Sequence, residues 1–244
     1  MDGTLHLIPT TLGEYEPAAV LPAPLLEQVR TLKHFVVEET RTARRFLSAA
    51  GLKGHIGELT FRELNEHTSP AEVDSLLDLF HDEDGHPCDV GLLSEAGLPA
   101  VADPGALLVA LCHRQGIRVV PHTGPSSLML ALMASGLNGQ QFAFRGYLPA
   151  KPEERKKCLR ALEKDSARRA ETQIFIETPY RNDAMFADLL ETLSPSVRLC
   201  VAADLTLPDE FIRTQSVREW RTAPVRIGKR PCVFLFLTPS NAKQ

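Results

Sequence analysis

Acidic and hydroxyl side chains crowd two glycine- and proline-rich stretches of this 244-residue sequence. The first reads Ser94-Glu-Ala-Gly-Leu-Pro-Ala-Val-Ala-Asp-Pro-Gly105 and the second His122-Thr-Gly-Pro-Ser-Ser127. In the first, Asp103 is placed to cap a helix, with Pro104 in its first turn, where a missing N–H costs nothing. Gly97 and Pro99 shape a loop just beyond a strand expected at residues 89–94. In the second, hydroxyls sit beside the free N–H groups of a helix start, which can hold a carboxylate or a phosphate. Each stretch alone reads equally as a well-made cap. Together, on neighbouring units of one sheet, they outline a ligand cleft, because open α/β sheets bind ligands outside the carboxyl ends of their strands.

Two further segments suit a polyanion. Glu39-Thr-Arg-Thr-Ala-Arg-Arg45 opens a helix with hydroxyls and three arginines, suited to gripping phosphate. Lys156, Arg160, Lys164 and Arg168 recur every fourth residue, a ridge of like charges that a facing polyanion would relieve. Glu153, Glu154, Glu163 and Asp165 offer the alternative of an ordinary solvated face. Aromatic residues are 6% of the chain, so no stacking platform for single-stranded bases is evident.

Other chemistries are missing. Gly51-Leu-Lys-Gly-His-Ile-Gly57 is neither a dinucleotide fingerprint nor a Walker loop, and no G-x-S-x-G or H-E-x-x-H occurs. His81-Asp-Glu-Asp-Gly-His-Pro-Cys88 has ligand-type residues, but not at EF-hand or zinc spacing, and reads as a solvated loop without metal. Five scattered cysteines exclude a disulfide scaffold and fit a reducing cytoplasm. The start carries no leader pattern, and no apolar run reaches a membrane-spanning length.

The elements that must position these residues alternate through the first half. Strands are expected at residues 5–9, 35–37, 89–94 and 117–121, and helices at 41–50, 71–81 and 105–115, with an apolar-periodic stretch at 25–32. This is the rhythm of a largely parallel sheet covered by helices. Beyond it, helices at 125–135, 153–169 and 181–193 mix with strands at 142–147, 173–177, 197–203, 211–216 and 231–237. The last three strands have little helix between them, which implies antiparallel pairing. Phe142 and Phe144, alternating in a strand, and Met129 and Met133, at helical spacing, are expected in the core. The fold class is thus α/β in two subdomains, residues 1–120 with a mostly parallel sheet and 121–244 with a mixed one.

At 43% apolar and 24% charged, the composition supports a real core. Net charge is −4, but residues 1–140 hold 9 Lys and Arg against 18 Asp and Glu, and residues 141–244 hold 18 against 13. The resulting balances of −9 and +5 make the second half the part that would meet a polyanion.

Taken in order, the two loop motifs and Ser135-Gly136 resemble the tetrapyrrole-methylase-like (class III) S-adenosylmethionine-dependent methyltransferases. Further matching stretches are Glu38-Glu-Thr-Arg-Thr42, Phe144-Arg-Gly-Tyr-Leu-Pro-Ala-Lys151, Phe175-Ile-Glu-Thr-Pro-Tyr-Arg181 and Asp204-Leu-Thr206. The likeness is greatest to the branch that methylates a cytidine ribose 2′-oxygen of small-subunit ribosomal RNA. It implies two α/β domains with a ligand cleft between them, a homodimer, S-adenosylmethionine as donor and S-adenosylhomocysteine as product, and no metal. The donor would lie against Ser94, Glu95, Ala96, Gly97, Pro99, Asp103, Pro104, Gly124, Ser126 and Ser127. Glu39 and Glu177 are the candidate bases. Arg41, Lys151, Lys156, Arg160 and Lys164 are the candidate RNA contacts. The pattern is altered at Pro9 and Glu14 of the first loop, Glu39 and Glu95 stand where Asp is usual, and the C-terminal extension of many members is missing. A same-fold enzyme acting on a tetrapyrrole-like small molecule, and a non-catalytic donor- or RNA-binding member, remain open alternatives.

Overall fold

Apolar runs of four or five residues, too short for core helices, become the strands of the first half. A computed structural model describes residues 3–239, and the chain divides into two units, residues 1–126 and 127–244. The first unit contains β1 (Thr4–Ile8), α1 (Ala23–Thr31), β2 (His34–Val37), α2 (Thr40–Leu47), β3 (Thr60–Glu63), α3 (Pro70–Ser75), β4 (Val90–Leu93), α4 (Gly105–Gln115) and β5 (Arg118–Pro121). Its strands lie in the order β3-β2-β4-β1-β5 and every pairing is parallel.

Central β4 is covered on both faces, so all four of its residues are buried and its sequence is continuously apolar instead of alternating. One face packs against Leu79, Phe80, Leu108 and Leu111, and the other against Leu25, Val29 and Leu47. The helix expected at 71–81 is α only as far as Ser75 and then tightens into a 3-10 segment, Leu76–Phe80. Strand β3 had no sequence signal: an edge strand reading Thr-Phe-Arg-Glu buries too little to show alternation.

The second unit contains α5 (Ser127–Ser135), β6 (Phe142–Tyr147), α6 (Pro152–Arg169), β7 (Thr172–Ile176), α7 (Asn182–Thr192), β8 (Arg198–Ala203), β9 (Phe211–Ser216), α8 (Val217–Thr222) and β10 (Cys232–Leu237). Its sheet runs β6-β7-β10-β8-β9. β6 and β7 are parallel, joined through α6, and the other pairs are antiparallel. A parallel sheet followed by a mixed one is the expected fold class.

Three core assignments are corrected. Met129 and Met133 are 44% and 77% exposed, and Phe142 is also exposed. Helix α5 is apolar on every side, so periodicity could not say which side is buried; Leu128, Ala131 and Leu132 take that place. Phe142 begins β6, an edge strand of its sheet. Among the described residues, no helix is long and apolar enough to cross a membrane. Met1 and Asp2, on which the expectation of no leader partly rests, lie outside the described residues.

Candidate functional site

Strands β2, β4 and β1 are neighbours and parallel, so the loops leaving their carboxyl ends meet at one edge of the first sheet. Those loops are knitted together. Thr10 donates its backbone N–H to the Gly97 carbonyl at 2.9 Å and its hydroxyl to the Ser94 carbonyl at 3.3 Å. Ser94 Oγ donates to the Gly97 carbonyl at 3.2 Å, and the Glu95 N–H donates to Glu38 Oε1 at 2.9 Å. Gly97 has a φ of 80°, a conformation that favours glycine, and a Cβ there would press on Leu12 Cδ2 at 3.1 Å.

Between these loops and α2 lies a cavity of about 540 Å³, within the usual range for a small-ligand site. Leu12, Pro17 and Phe46 supply apolar wall, while Thr11, Thr42 and Glu95 bring polar groups to it. Arg45 and Glu14, both lining residues, are joined by an exposed ion pair of 2.8 Å.

The carboxylates around this edge fall into two groups. Partial burial, then the neighbouring Glu38 and Glu39, hold Glu95 above the ordinary carboxylate range. Glu38 is also raised, chiefly by burial, with Asp103 adding to it. Glu39 is lowered, first by the Thr42 hydroxyl and also by the Thr42 and Arg41 N–H groups. It is the N-cap of α2. A carboxylate so well supplied with donors is a poor proton acceptor, which removes the physical reason for treating Glu39 as a base.

Asp103 is raised by burial, and its carboxylate closes the loop before α4. Both oxygens accept from the Ala100 N–H at 2.9 Å, and Oδ1 accepts from the Gly105 N–H at 2.7 Å. That ring of bonds holds Ala100 and Ala102 at a φ of 64°, a region L-residues rarely enter. Strain of this sort, of order 1–3 kcal/mol per residue, gathers at ligand-binding loops.

Of the residues expected to face the donor, Ser94, Glu95 and Ala96 line the cavity. Gly97 and Asp103 brace it, Pro99 is buried beside them, and Pro104 precedes α4. Gly124 packs so closely on the β1 loop that a Cβ would sit 2.2 Å from that of Pro9. Ser126 ends the first unit and Ser127 opens α5 of the second. Sequence reasoning does not place Glu38 or the run from Thr10 to Pro17 in the site, although residues 38–42 and the first loop both stand out as motif stretches; the run lines the cavity directly after β1.

In the second unit, Glu177 is buried and its Oε1 accepts from the Thr178 N–H at 2.7 Å and from Arg181 Nε and Nη2 at 2.9 and 2.6 Å. Its Oε2 is buried without a hydrogen-bond partner. Lys151 is exposed and pairs with Glu154 at 3.4 Å. The ridge on α6 is not uniform. Lys156 turns to α7, 2.8 Å from Glu191 and 3.7 Å from Asp188, and Arg168 pairs with Asp165. Arg160 and Lys164 are exposed, and so is Arg41. In the first unit, Asp82, Asp84 and His86 bring possible ligand atoms within 4.8 Å of one another, all exposed.

A parallel α/β unit with a carboxylate-bearing cavity at the ends of its strands, followed by a mixed α/β unit, defines a class of two-unit α/β ligand-binding proteins. Residues 24–220 match the tetrapyrrole (corrin/porphyrin) methylases, and the chain belongs to that family. It is similar to the ribosomal RNA small subunit methyltransferase I of Neisseria meningitidis serogroup B, with 34% identity over 91% of this chain and 70% of that one. It is likewise similar to the protein of that name from Escherichia coli O157:H7, with 31% identity over 89% and 70%. In fold it resembles the uroporphyrin-III C-methyltransferase of Thermus thermophilus, solved in complex with S-adenosylhomocysteine. That likeness has a TM-score of 0.59 and 18% identity, covering 96% of this chain and 97% of that one.

Proposed function

We propose that this chain is an S-adenosylmethionine-dependent methyltransferase that acts on a ribose 2′-oxygen of small-subunit ribosomal RNA. The observation that carries the reading is the match to relatives named ribosomal RNA small subunit methyltransferase I over about nine-tenths of the chain; the ribose 2′-oxygen follows from the branch that the motifs resemble. When bound, S-adenosylmethionine would supply an electrophilic sulfonium methyl for an oxygen nucleophile, and positioning of the two would carry much of the barrier reduction. The first unit's cavity fits such a group, with apolar wall for a nucleoside and the Glu95 carboxylate on its lining to favour a cation. Ser94, Glu95, Ala96 and the braced loop from Gly97 through Asp103 and Pro104 would hold it, with Gly124 and Ser126 of the same unit.

A ribose hydroxyl has a very high pKa, so its proton must leave as the new bond forms. Glu95 is the group best suited to take it, because its raised proton affinity brings it nearer the operating pH. Glu38 fixes the backbone of Glu95 through its N–H and keeps the carboxylate at the cavity. Arg41 and Lys151, exposed and cationic, would meet phosphate.

The chain is further proposed to work as a homodimer in the cytoplasm. The exposed Met129 and Met133 are suited to a subunit contact, and the five free cysteines suit a reducing compartment. Calorimetry with S-adenosylhomocysteine tests donor binding, with saturable uptake expected. Tritiated methyl transfer to small ribosomal subunits lacking the modification tests the acceptor. Label going to a porphyrinogen instead would replace the rRNA assignment, and a folded protein that takes up no product would end the enzymatic one.

A further inference from the structure

Four segments of the second unit end at one edge of its sheet. β6 and β7 run parallel, with Tyr147 paired to Ile176 at their carboxyl ends. β10 runs antiparallel to β7 and β8, so the residues that lead into β10 lie at that same edge, as does the turn leaving β8. Two exposed tyrosines collect there. Tyr147 closes β6 and is 57% exposed; Tyr180, just beyond β7, is 79% exposed. Only three tyrosines occur in the chain, so two of them stand out in solvent at one sheet edge.

Cations accompany these rings. Lys229 holds its Nζ 4.9 Å from the centre of the Tyr180 ring. Arg181 is adjacent in sequence, and its Nε and Nη2 are fixed by the buried Glu177 while the side chain stays partly exposed. That is an aimed guanidinium: the carboxylate sets its plane, and the exposed part of the fork is left to face solvent. Asn182 extends the bracing, its Nδ2 donating to the Gly228 and Arg230 carbonyls at 3.1 and 2.7 Å and so fixing the segment that carries Lys229. Arg230 is turned to Asp204 and the Asp209 carbonyl and takes no part.

We propose that this edge holds an unpaired stretch of RNA, with bases stacked on Tyr147 and Tyr180 and phosphates met by Lys229 and Arg181. An exposed ring with a cation beside it offers what one nucleotide presents, a π-face and a negative charge. The net charge of +5 for residues 127–244 gives the field the same sign. The aromatic fraction of the chain hid this platform, since the two rings are far apart in sequence and only the parallel β6–β7 pairing unites them. The inference rests on the rRNA reading above and names the part of the protein that grips the strand.

The test is fluorescence anisotropy of the full-length chain with a short mixed-sequence single-stranded RNA and with the matching duplex. Tyr180→Ala and Tyr147→Ala are each expected to weaken single-strand binding about tenfold, the range for one lost stacking partner. Tyr180→Phe should bind as the wild type does, because the ring remains. Duplex binding should be insensitive to both alanine variants, and S-adenosylhomocysteine uptake should not change. Both sites are exposed, and unaltered melting temperatures would confirm intact folding. Wild-type affinity for the single strand in the Tyr147→Ala/Tyr180→Ala double variant overturns this proposal while leaving the rRNA reading in place. A wild-type protein that binds neither RNA and methylates no ribosomal subunit overturns both.

Discussion

Glu39 and Glu177, the candidate bases of the sequence, and Glu95, expected there only beside the donor, differ in what holds them. Glu39 is spent on capping α2 and Glu177 on orienting Arg181, whereas Glu95 stays solvent-accessible and is raised by partial burial and by Glu38 and Glu39. Replacing Glu95 by Gln should therefore lower the rate of methyl transfer at least about a hundredfold, the usual contribution of a general base, with product affinity retained. Calorimetry beside a transfer assay separates the two effects. The same substitution has a stability signature. Because the folded protein binds the Glu95 proton more tightly than the unfolded chain does, wild-type stability falls as pH rises above the ordinary value of 4.5. Denaturant midpoints of Glu95→Gln should match the wild type near pH 4 and exceed it at pH 7. An advantage confined to the acidic end would show that the carboxylate is stabilised by its surroundings. None of this could be seen in the sequence, where Glu95 is one acidic letter inside a loop motif and the neighbours that raise it come from the end of β2.

Elements were legible where their pattern was long and their ends were marked. Helix α4 runs from Gly105 to Gln115 as expected because Gly116, at a φ of 74°, stops it in a left-handed cap. β6 and β9 also keep their expected bounds. What escaped was short or locally ambiguous. Helix α8 has six residues and gave no usable period, yet it carries Trp220, fully buried, edge-on to Phe186 and donating its Nε1–H to the Leu199 carbonyl at 2.9 Å. A helix that short depends on its start. Ser216 and Glu219 form a reciprocal capping box, with the Glu219 N–H on Ser216 Oγ and Glu219 Oε2 accepting from the Ser216 N–H at 2.7 Å. Ser216→Ala should cost about 1 kcal/mol, measured by urea denaturation followed through Trp220 fluorescence. A change within error would mean that the tertiary anchoring of Trp220 alone holds α8. The loop–strand arrangement of the candidate site was legible for the related reason that its positions follow strands. Its electrostatics were not, because they arise between loops brought together only by the strand order.

Charge divides the whole molecule along the same line as its two units. Residues 1–126 carry −9 and residues 127–244 carry +5, since no charged residue lies between 127 and 140. Apart from the contacts proposed for Arg41 and Lys151, a polyanion should therefore engage the second unit, on the α6 ridge or at the sheet edge. Lys156 is committed to Glu191 and Asp188, an arrangement that raises its proton affinity and satisfies its charge internally. Lys229 has an aromatic ring as its neighbour and keeps its charge available to a phosphate. Each phosphate neutralised on a single strand adds about −0.7 to the slope of log affinity against log salt. Lys229→Met should flatten that slope by about this amount while weakening binding, and Lys156→Met should leave it unchanged. The opposite pattern would move the RNA contact onto the helix, where Arg160 and Lys164 remain exposed to continue it. The slope counts the counterions released by each bound molecule, whereas partial unfolding only lowers the number of molecules competent to bind. A destabilised variant therefore cannot imitate the expected result.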